Sequence, residues 1–447
     1  MKVPFGLASY LGEPEVPCVN MVPEPNPAEE SGVYLRSRMG LSDLDDDLPG
    51  AIEATFCRDG VLFGGRYSVA AGGLYDGTTV VGAIDGTGPV TMAGNETGLF
   101  VTAGAGLWFY DATTLSAVAF PDSADVRGVF GGASRIFAIR ADTGKTYWTD
   151  ALADDIDALD FATAESAPDS MVQGLWLDDK AILFGTETIE VWASTTDDDL
   201  PIQPIESLLF EKGLRANGCA CIYDYGFAFV GNDNVVYLGS AQKPQPISEP
   251  WLTRKITASI NCRLFAFLLP DGRDALCLRL DTETHVFVSG QWAEFQSYGA
   301  TNWLPQCWAN GVFGCSDGRM AEWSADWLDF AGDLERRWRG GLPINAGGVS
   351  LEDLTLRCKT GQTPYLSGDH AEPNVEMRLS RNLGKTWGAW KPRSLGRQGE
   401  YGKRVQWRGC GMASAPGLLA EFRVTAPIDC DVADFRLNEG FGGRLAA

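Results

Sequence analysis

The residue types that carry most enzyme chemistry are scarce or scattered in this chain. It has two histidines, His285 and His370, and His285 lies in an apolar, strand-like segment where a structural histidine is the expected role. The 59 Asp and Glu residues make pairs of carboxylates common everywhere, so such pairs indicate no glycosidase site. The glycine-rich stretch 102–106 lacks the Gly-Lys-Ser/Thr of a phosphate-binding loop. We therefore predict that the protein is not an enzyme and needs no cofactor.

Metal sites are also poorly supported. Cys219 and Cys221 alternate on a predicted strand, but a zinc site would need a second close pair of ligands beside them. The aspartate runs 45–47 and 197–199 lack the spacing of a calcium loop, so solvated acidic loops are predicted. The 11 cysteines are odd in number and scattered, which is typical of reduced, buried thiols in a protein made in a reducing cytoplasm.

Charge is distributed unevenly along the 447 residues. Residues 331–447 carry 17 basic and 13 acidic side chains, a net of +4, whereas residues 1–330 carry 19 and 46, a net of −27. A body this acidic cannot bind nucleic acid by neutralising phosphates, because that requires an excess of Lys and Arg. A repulsive wall along which DNA slides is compatible with this charge, and the mildly basic C-terminal part suits an acidic partner.

One local pattern predicts a specific turn. The segment contains Ser380, Asn382, Gly384, Thr386 and Trp387 at the spacing S-x-N-x-G-x-T-W. It resembles the Asp-box hairpin of sialidase-type propellers, with Asn382 at the Asp position. In that family the box is structural: the Asx side chain caps backbone N–H groups and the glycine adopts a positive φ. The arginine cluster and the Tyr/Glu pair of a sialidase site are missing from the sequence, so a structural turn is predicted.

The elements that would position these candidate side chains are short β-strands joined by tight turns. Apolar residues alternate through paired runs that are separated by Gly, Asn or Asp, which is the pattern of β-hairpins. Three such hairpins are predicted, pairing residues 135–140 with 145–149, 181–184 with 188–192, and 227–230 with 235–238.

Turn glycines recur at a nearly regular interval. They stand 40, 40, 41, 46, 41 and 46 residues apart, at Gly64, Gly104, Gly144, Gly185, Gly231, Gly272 and Gly318. Four-stranded propeller blades repeat every 40 to 50 residues or so. We predict an all-β protein whose residues 50–335 form a β-propeller of six or seven blades. An array of β-sandwiches is the alternative fold.

The two ends of the chain differ from this body. Residues 1–49 contain five prolines between Pro14 and Pro27, which predict an extended N-terminal arm without regular structure. After a basic run at residues 336–339, the glycine- and proline-rich segment 340–348 predicts a linker. Residues 350–447 then alternate like the strands of a small antiparallel β domain.

Read as a whole, the chain resembles the packaged-DNA stabilisation proteins, the tail hub or nozzle, of short-tailed bacteriophages. The similarity lies in short segments that keep the family's order over nearly the full length. They are residues 19–21, 31–37 with Gly40, 72–75, 86–90 with Met92, 164–169, 188–190, 211–213, 394–396 and 404–408.

The resemblance implies a structural component of the virion tail, made in the host bacterial cytoplasm. It implies a propeller fold and a homo-hexameric ring that holds packaged DNA and conducts it during ejection. Its expected partners are the adaptor (head-to-tail connector) ring, the tail needle or tail fibre and spike proteins, and double-stranded DNA that passes without specific binding. No apolar stretch reaches the length of a membrane span, so no membrane insertion is predicted.

Two sets of residues are candidates for these roles. Tyr34, Leu35 and Arg36 follow the proline-rich segment, and we expect this arm to contact a neighbouring chain or the ring above; docking on its own propeller is the alternative. The candidate channel-facing acids lie in predicted loops, and the alternative is that they only keep the protein soluble. They are Asp45, Asp46, Asp47, Asp154, Asp155, Asp197, Asp198 and Asp199.

Two other functions compete with a tail hub. One is a propeller that binds carbohydrate or hydrolyses glycosides, supported by the Asp-box-like pattern. The other is a cytoplasmic propeller scaffold for protein partners.

Overall fold

The computed structural model describes residues 2–3, 18–26, 32–57, 66–84, 88–164, 169–240, 243–344 and 347–438. Within them the chain is all-β, apart from the α-helix Pro250–Ala258 and the 3-10 turn Pro121–Ser123. The chain divides into two compact units. The propeller unit is Asp43–Asp281 with Leu304–Glu322, and the sandwich unit is Met1–Ser42, Thr282–Trp303 and Trp323–Ala447.

The propeller unit contains five antiparallel sheets, each made of four consecutive strands among the described residues. We number them in chain order. Sheet 1 is Ile52–Cys57, Arg66–Ala70, Gly73–Asp76 and Thr79–Ala83; sheet 2 is Thr91–Gly94, Leu99–Ala103, Gly106–Tyr110 and Leu115–Ala117; sheet 3 is Val126–Gly132, Arg135–Arg140, Lys145–Trp148 and Phe161–Thr163; sheet 4 is Met171–Leu177, Lys180–Gly185, Ile189–Ser194 and Ile202–Phe210; sheet 5 is Ala220–Tyr223, Gly226–Val230, Val236–Gly239 and Gln245–Pro246.

Further strands complete this unit. Cys262–Leu268 pairs with Asp274–Leu280, and Pro305–Ala309, Val312–Cys315 and Met320–Ser324 follow one another as antiparallel neighbours. Sheets 1 to 5 and these two sets of strands form seven consecutive groups. The first strand of each group contacts the first strand of the next group, and Pro305–Ala309 contacts Ile52–Cys57. At that last contact, Gln306 Nε2 donates a hydrogen bond to Ile52 O at 2.8 Å. Such a succession of antiparallel sheets is the architecture of a β-propeller.

The apolar runs of the sequence are buried between neighbouring sheets. Along Arg135–Arg140, Ile136 and Ala138 pack with Phe100 of sheet 2, while Phe137 and Ile139 pack toward Leu183 of sheet 4. Successive side chains of a strand point to opposite faces, so a strand with a sheet on each side must be apolar at every position. All three predicted hairpins are confirmed by these pairings.

The glycine series marks one kind of turn at most of its positions. Five of the glycines lie at turns between the second and third strands of their groups: Gly104, Gly144, Gly185, Gly231 and Gly318. Gly272, by contrast, joins the first strand of its hairpin to the second. In sheet 1 the turn between the second and third strands contains Gly72, which is not a member of the series. Gly64 lies outside the described residues. The spacing therefore reflects the sheet repeat, although Gly272 lies at a different turn from the five.

The sandwich unit is built from two sheets. One has the order Met21–Asn26, Gly32–Ser37, Val432–Leu437, Asp353–Cys358, Val405–Arg408, with Lys2–Val3 also paired to Val432–Leu437. The other includes Thr284–Val288, Gln291–Phe295, Cys18–Val19, Arg336–Pro343, Gly417–Val424, Asn374–Ser380 and Lys391–Ser394. Phe422 of the second sheet packs against Phe435 and Trp407 of the first, with ring centroids 4.8 and 5.8 Å apart. Shorter strands are Gly40–Asp43, Leu328–Asp329, Gly332–Asp333, Gly348–Ser350 and Met412–Ser414.

Two predictions about irregular segments were wrong. Met21–Asn26 is a strand despite Pro23 and Pro25, because it is an edge strand and its two prolines alternate, so their missing N–H groups lie on one side. The predicted linker begins as a strand: Arg336–Pro343 pairs with Gly417–Val424 along its whole length. The 73 residues between these strands, 344–416, hide the pairing from sequence patterns.

Candidate functional sites

The Asp-box-like residues come together in one turn after the strand Asn374–Ser380. Asn382 Oδ1 accepts a hydrogen bond from the Thr386 N–H at 2.8 Å, and Asn382 Nδ2 donates to Thr386 Oγ1 at 2.8 Å. Ser380 Oγ accepts from the Gly384 N–H at 2.8 Å. Gly384 has a φ of 95°, a conformation that favours glycine. Each polar group of this pattern therefore holds the backbone of the turn.

Trp387 takes part in a stack of arginine and tryptophan side chains that the sequence did not predict. The Arg378 guanidinium lies 4.7 Å from the Trp387 ring centroid and 4.5 Å from that of Trp390. Arg378 and Arg339 also form ion pairs with Glu421, whose side chain is fully buried. The basic C-terminal surface is thus partly neutralised by carboxylates of its own chain. Arginine–tryptophan stacking adds favourable energy to such pairs.

We expect Asn382→Ala to lower the free energy of unfolding by about 1–2 kcal/mol, because the three side-chain hydrogen bonds of Asn382 within the turn are lost. Asn382→Asp keeps the acceptor for the Thr386 N–H and should unfold close to the wild type. Urea denaturation of both variants measures the difference. Equal stability of the alanine and aspartate variants would show that the side chain does not hold the turn.

The three candidate assembly residues lie on the strand Gly32–Ser37 and contact other parts of the same chain. Tyr34 Oη donates to Asp431 Oδ2 at 2.8 Å, and burial together with this carboxylate raises the pKa of Tyr34. Leu35 is buried and lies opposite Val432. Arg36 is half-exposed and pairs with Glu24 at 3.3 Å. The segment is therefore part of a sheet of the sandwich unit.

Arg38, just beyond these residues, forms a buried ion pair that sequence reasoning missed. Its Nη2 lies 3.1 Å from Asp329 Oδ1, and the two side chains are 1% and 0% exposed. Nε donates to Asn20 Oδ1 at 3.1 Å, and Nη2 also reaches Gln296 O at 3.1 Å. Asp329 Oδ2 accepts from the Tyr298 N–H at 2.9 Å. This pair joins the N-terminal strands to segments about 260 and 290 residues later in the chain.

Five of the candidate channel acids lie on loops between the third and fourth strands of two neighbouring sheets. Asp154 and Asp155 lie on the loop of sheet 3, and Asp197, Asp198 and Asp199 on that of sheet 4, all exposed. Arg135, only 5% exposed, links the two loops: it lies 2.9 Å from Asp198 and 3.5 Å from Asp150. The structure therefore brings these acids onto adjoining loops.

The same two loops also expose apolar side chains. Leu152, Leu159 and Leu200 are 42%, 84% and 41% exposed. Large exposed apolar side chains beside charged groups are a feature of protein-binding surfaces. No pattern of residue types signals this combination, because exposure of a loop leucine depends on what packs beside it.

The remaining candidate acids, Asp45, Asp46 and Asp47, lie elsewhere in the propeller unit. The flanking residues fix this segment: the Leu44 N–H bonds to Met320 O and the Leu48 N–H to Gly318 O. Asp46 pairs with Arg66 at 2.6 Å, while burial and the neighbouring Asp43 raise the pKa of Asp47. The run is thus attached to the turn at Gly318.

The groups considered for chemistry have separate surroundings. His285 Nε2 lies 3.3 Å from Glu283, and His370 Nε2 lies 3.4 Å from Asp333. Cys219 Sγ donates to Cys262 O at 3.1 Å, and burial raises the pKa of Cys221. All eleven cysteines are free thiols. Across the described ranges, no three His, Cys, Asp or Glu side chains are grouped so that they could hold a metal ion.

Comparison with known proteins identifies the family. A model described as the β-propeller of bacteriophage P22 Gp10 matches residues 14–289, well over half of the chain. A second model, the β-sandwich of bacteriophage P22 Gp10, matches residues 341–439. The chain belongs to the P22 Gp10 family. The resemblance inferred from short collinear segments is thereby confirmed, as is the fold class, a β-propeller followed by a C-terminal β domain.

A curated relative within the P22 Gp10 family is the tail hub protein gp10 of Salmonella phage P22. It is 28% identical over 249 residues, which cover 50% of this chain and 51% of the relative. The chain therefore matches about half the length of the curated relative.

Matches among solved structures have low identities and low TM-scores. The β-propeller domain of Cps50 (Swd1) from Myceliophteria thermophila is 10% identical, with a TM-score of 0.40, over 64% of this chain and 99% of that chain. BamB from Moraxella catarrhalis is 12% identical, with a TM-score of 0.33, over 65% and 97%. The fold assignment itself rests on the strand pairing and the family models. In the described part of the chain, no helix combines the length and hydropathy needed to cross a bilayer.

Proposed function

We propose that the protein is the structural tail hub of a short-tailed bacteriophage, a ring below the portal adaptor that retains packaged DNA and conducts it during ejection. The observation that carries this proposal is the match of two P22 Gp10 models in order, the propeller over residues 14–289 and the sandwich over 341–439. The relative from Salmonella phage P22 is itself named a tail hub protein.

Several details of the proposal follow from the family and not from the coordinates. They are six copies in the ring, contacts with the adaptor ring and with tail needle or fibre proteins, a place in the virion tail, and synthesis in the host cytoplasm. We also propose a propeller of seven blades, supported by the seven first strands that contact one another in order. The predicted domain limits, 1–49, 50–335 for the propeller and 350–447 for the C-terminal domain, stay proposals as well; within 1–49, Met21–Asn26 and Gly32–Ser37 are strands of a sheet.

A structural role without catalysis fits the surroundings of the titratable groups. His285 and His370 each lie beside a separate carboxylate. The polar side chains of the Asp-box-like turn form hydrogen bonds within that turn. The glycosidase and carbohydrate-binding alternatives depend on that turn, so its structural use removes their main support.

A phage that lacks the gene would test the hub role. We expect its heads to fill with DNA and then to lose it, because the ring that closes the portal is absent. The purified chain, added back to such heads, should restore DNA retention and appear below the portal in electron micrographs. Heads that keep their DNA without the chain would contradict the proposal.

We further propose that the acidic loops line the path of the DNA. Six copies would bring roughly 160 net negative charges from residues 1–330 into one ring, and repulsion from a close wall lets a polyanion slide. Screening limits this effect to about 8 Å at physiological salt, so only a close wall acts in this way. The exposed leucines on the same loops favour a second role, contact with another tail protein.

Charge reversal on the sheet 4 loop separates these two roles. We expect Asp197→Lys with Asp199→Lys to slow DNA release several-fold while particles assemble normally, because lysines would attract the duplex. Asp198 is left unchanged because it pairs with Arg135. DNA release from purified particles, triggered in vitro, measures the rate.

The control carries the same charge change at the other end of sheet 3, through Asp122→Lys and Asp142→Lys. These side chains are 69% and 86% exposed, so the loss of their surface ion pairs with Arg140 and Arg127 costs little stability. Loss of assembly only in the loop variant would support protein contact instead. Normal assembly with a normal release rate would exclude both roles for this loop.

A further inference from the structure

Two cysteines meet where sheet 5 lies beside the next group of strands in the propeller unit. Cys219 directly precedes Ala220–Tyr223, the first strand of sheet 5, and Cys262 begins the strand Cys262–Leu268. These two strands contact each other, although they belong to different groups. Two neighbouring groups of strands therefore each contribute one thiol to the same place.

The two thiols are in direct contact. Cys219 Sγ donates to Cys262 O at 3.1 Å, and the two thiol groups also hydrogen-bond to each other. Backbone hydrogen bonds hold both positions: the Leu264 N–H donates to Gly218 O at 2.9 Å, and the Val230 N–H donates to Cys219 O at 2.9 Å. A bond between the two sulfurs therefore requires rotation of the side chains more than movement of the strands.

The surroundings of the pair favour reaction with a small oxidant. The hydrogen bond with Cys262, together with the nearby Arg215 guanidinium, lowers the pKa of the Cys219 thiol, and the thiolate is the reactive form. Arg215 is itself held in place, because its Nη1 donates to Asn234 Oδ1 at 2.9 Å. Cys219 is fully buried whereas Cys262 is half-buried, so a molecule as small as a peroxide reaches the pair from the side of Cys262.

We propose that Cys219 and Cys262 are an oxidation site at which hydrogen peroxide converts the two thiols into a disulfide. One sulfur attacks a peroxide oxygen as its thiolate; the O–O bond breaks, hydroxide leaves and a sulfenic acid forms. The other sulfur then attacks the first, the S–S bond forms and a second hydroxide leaves. The two thiol protons pass to the two hydroxides, so the sulfurs lose two electrons and the peroxide becomes two molecules of water.

The bond joins sheet 5 to the hairpin that follows it in the propeller unit. It closes a loop that runs from Cys219 to Cys262 and so limits the freedom of the unfolded chain. Thiols stay reduced in a reducing cytoplasm and disulfides persist in oxidising surroundings, so the pair closes only where an oxidant is present. This inference rests on the contact between the thiols and does not depend on the hub role.

Peroxide treatment of the purified, reduced full-length chain tests the site. After reaction with an equimolar amount of hydrogen peroxide, the protein is unfolded and its remaining thiols are blocked with N-ethylmaleimide. We expect two fewer maleimide groups than the 11 that the untreated protein takes up. Trypsin without reductant should then release residues 216–254 joined to residues 256–263, and dithiothreitol should separate the two peptides.

Variants assign the bond to its two sulfurs. Residues 216–254 also contain Cys221, so Cys221→Ser is the matched control, and its linked peptides should form as in the wild type. Cys219→Ser keeps a hydroxyl donor for Cys262 O, and its linked peptides should fall by at least about ten-fold. Cys262→Ser should show the same loss.

The bond should also stabilise the protein. We expect the urea midpoint of the oxidised wild type to lie about 0.5 M or more above that of the reduced protein, because the cross-link restricts the unfolded chain. The same peroxide treatment should leave the midpoint of Cys219→Ser unchanged.

Three results would overturn the proposal: loss of thiols without the linked peptides, linked peptides at wild-type abundance in Cys219→Ser, or a midpoint that does not rise when the link forms. The second would mean that Cys221 is the partner of Cys262. If Cys219→Ser or Cys262→Ser fails to fold, the linked peptides of Cys221→Ser still decide, since Cys219 is then the one cysteine within residues 216–254.

Discussion

Replacement of Asp329 by asparagine is expected to lower the free energy of unfolding by about 3–5 kcal/mol, because it leaves the buried Arg38 guanidinium without its counter-charge. Both side chains are essentially inaccessible to water, at 1% and 0% exposure. Burial lowers the pKa of Arg38, but a guanidinium does not release its proton in a protein. Deprotonation of Arg38 therefore cannot compensate for the loss of the Asp329 carboxylate.

Urea denaturation followed by tryptophan fluorescence measures this loss. Trp303 is fully buried and its ring centroid lies 5.8 Å from the Arg38 guanidinium, so this tryptophan contributes a signal from the same unit. The matched control is Asp142→Asn, which breaks an ion pair whose side chains are 42% and 86% exposed and should leave the midpoint unchanged. If both variants unfold at the same urea concentration, the buried pair has no special role in stability.

What the sequence predicted best depends on local contacts. The hairpin 135–140 with 145–149 is predicted by one alternation of apolar residues and one turn. The Asx turn is predicted by seven consecutive positions. In both cases the residues that must meet are only a few positions apart. Such features can be read from a single chain because no distant partner decides them.

The features that escaped prediction depend on distant partners. The strand Arg336–Pro343 pairs with Gly417–Val424, and nothing near its glycines and basic residues indicates that partner. In sheet 4, residues 205–208 of the outer strand lie opposite the single residue Val191, a register shift between neighbouring strands that a pattern of residue types does not contain. Arg38 was read as part of an extended arm, although Asp329 lies 291 positions later. The residue type does not show whether an arginine is exposed on an arm or buried in a core, because its burial depends on the fold.

The N-terminal strands belong to the sandwich unit. Removing residues 1–38 is expected to prevent folding of the sandwich unit. The deletion takes away Met21 and Leu35, which are 0% and 1% exposed, and leaves Asp329 buried without Arg38. It also exposes the strand edges of Val432–Leu437 and Arg336–Pro343, which the N-terminal strands cover. Circular dichroism and the yield of monomeric protein measure this outcome. A folded, soluble truncation would show that these strands are dispensable.

An assembly role of the same segment therefore needs a substitution that spares the fold. Arg36→Ala removes a side chain that is 46% exposed, so the unfolding midpoint should stay at the wild-type value. Leu35→Ala, one position away, should instead lose about 2–5 kcal/mol, because a buried leucine leaves a cavity. If the exposed side of this strand contacts a neighbouring chain, the Arg36→Ala protein stays folded yet enters particles far less efficiently. Normal incorporation of Arg36→Ala would assign the strand to its own sheet alone, since Leu35 is buried and Tyr34 bonds to Asp431 of the same chain.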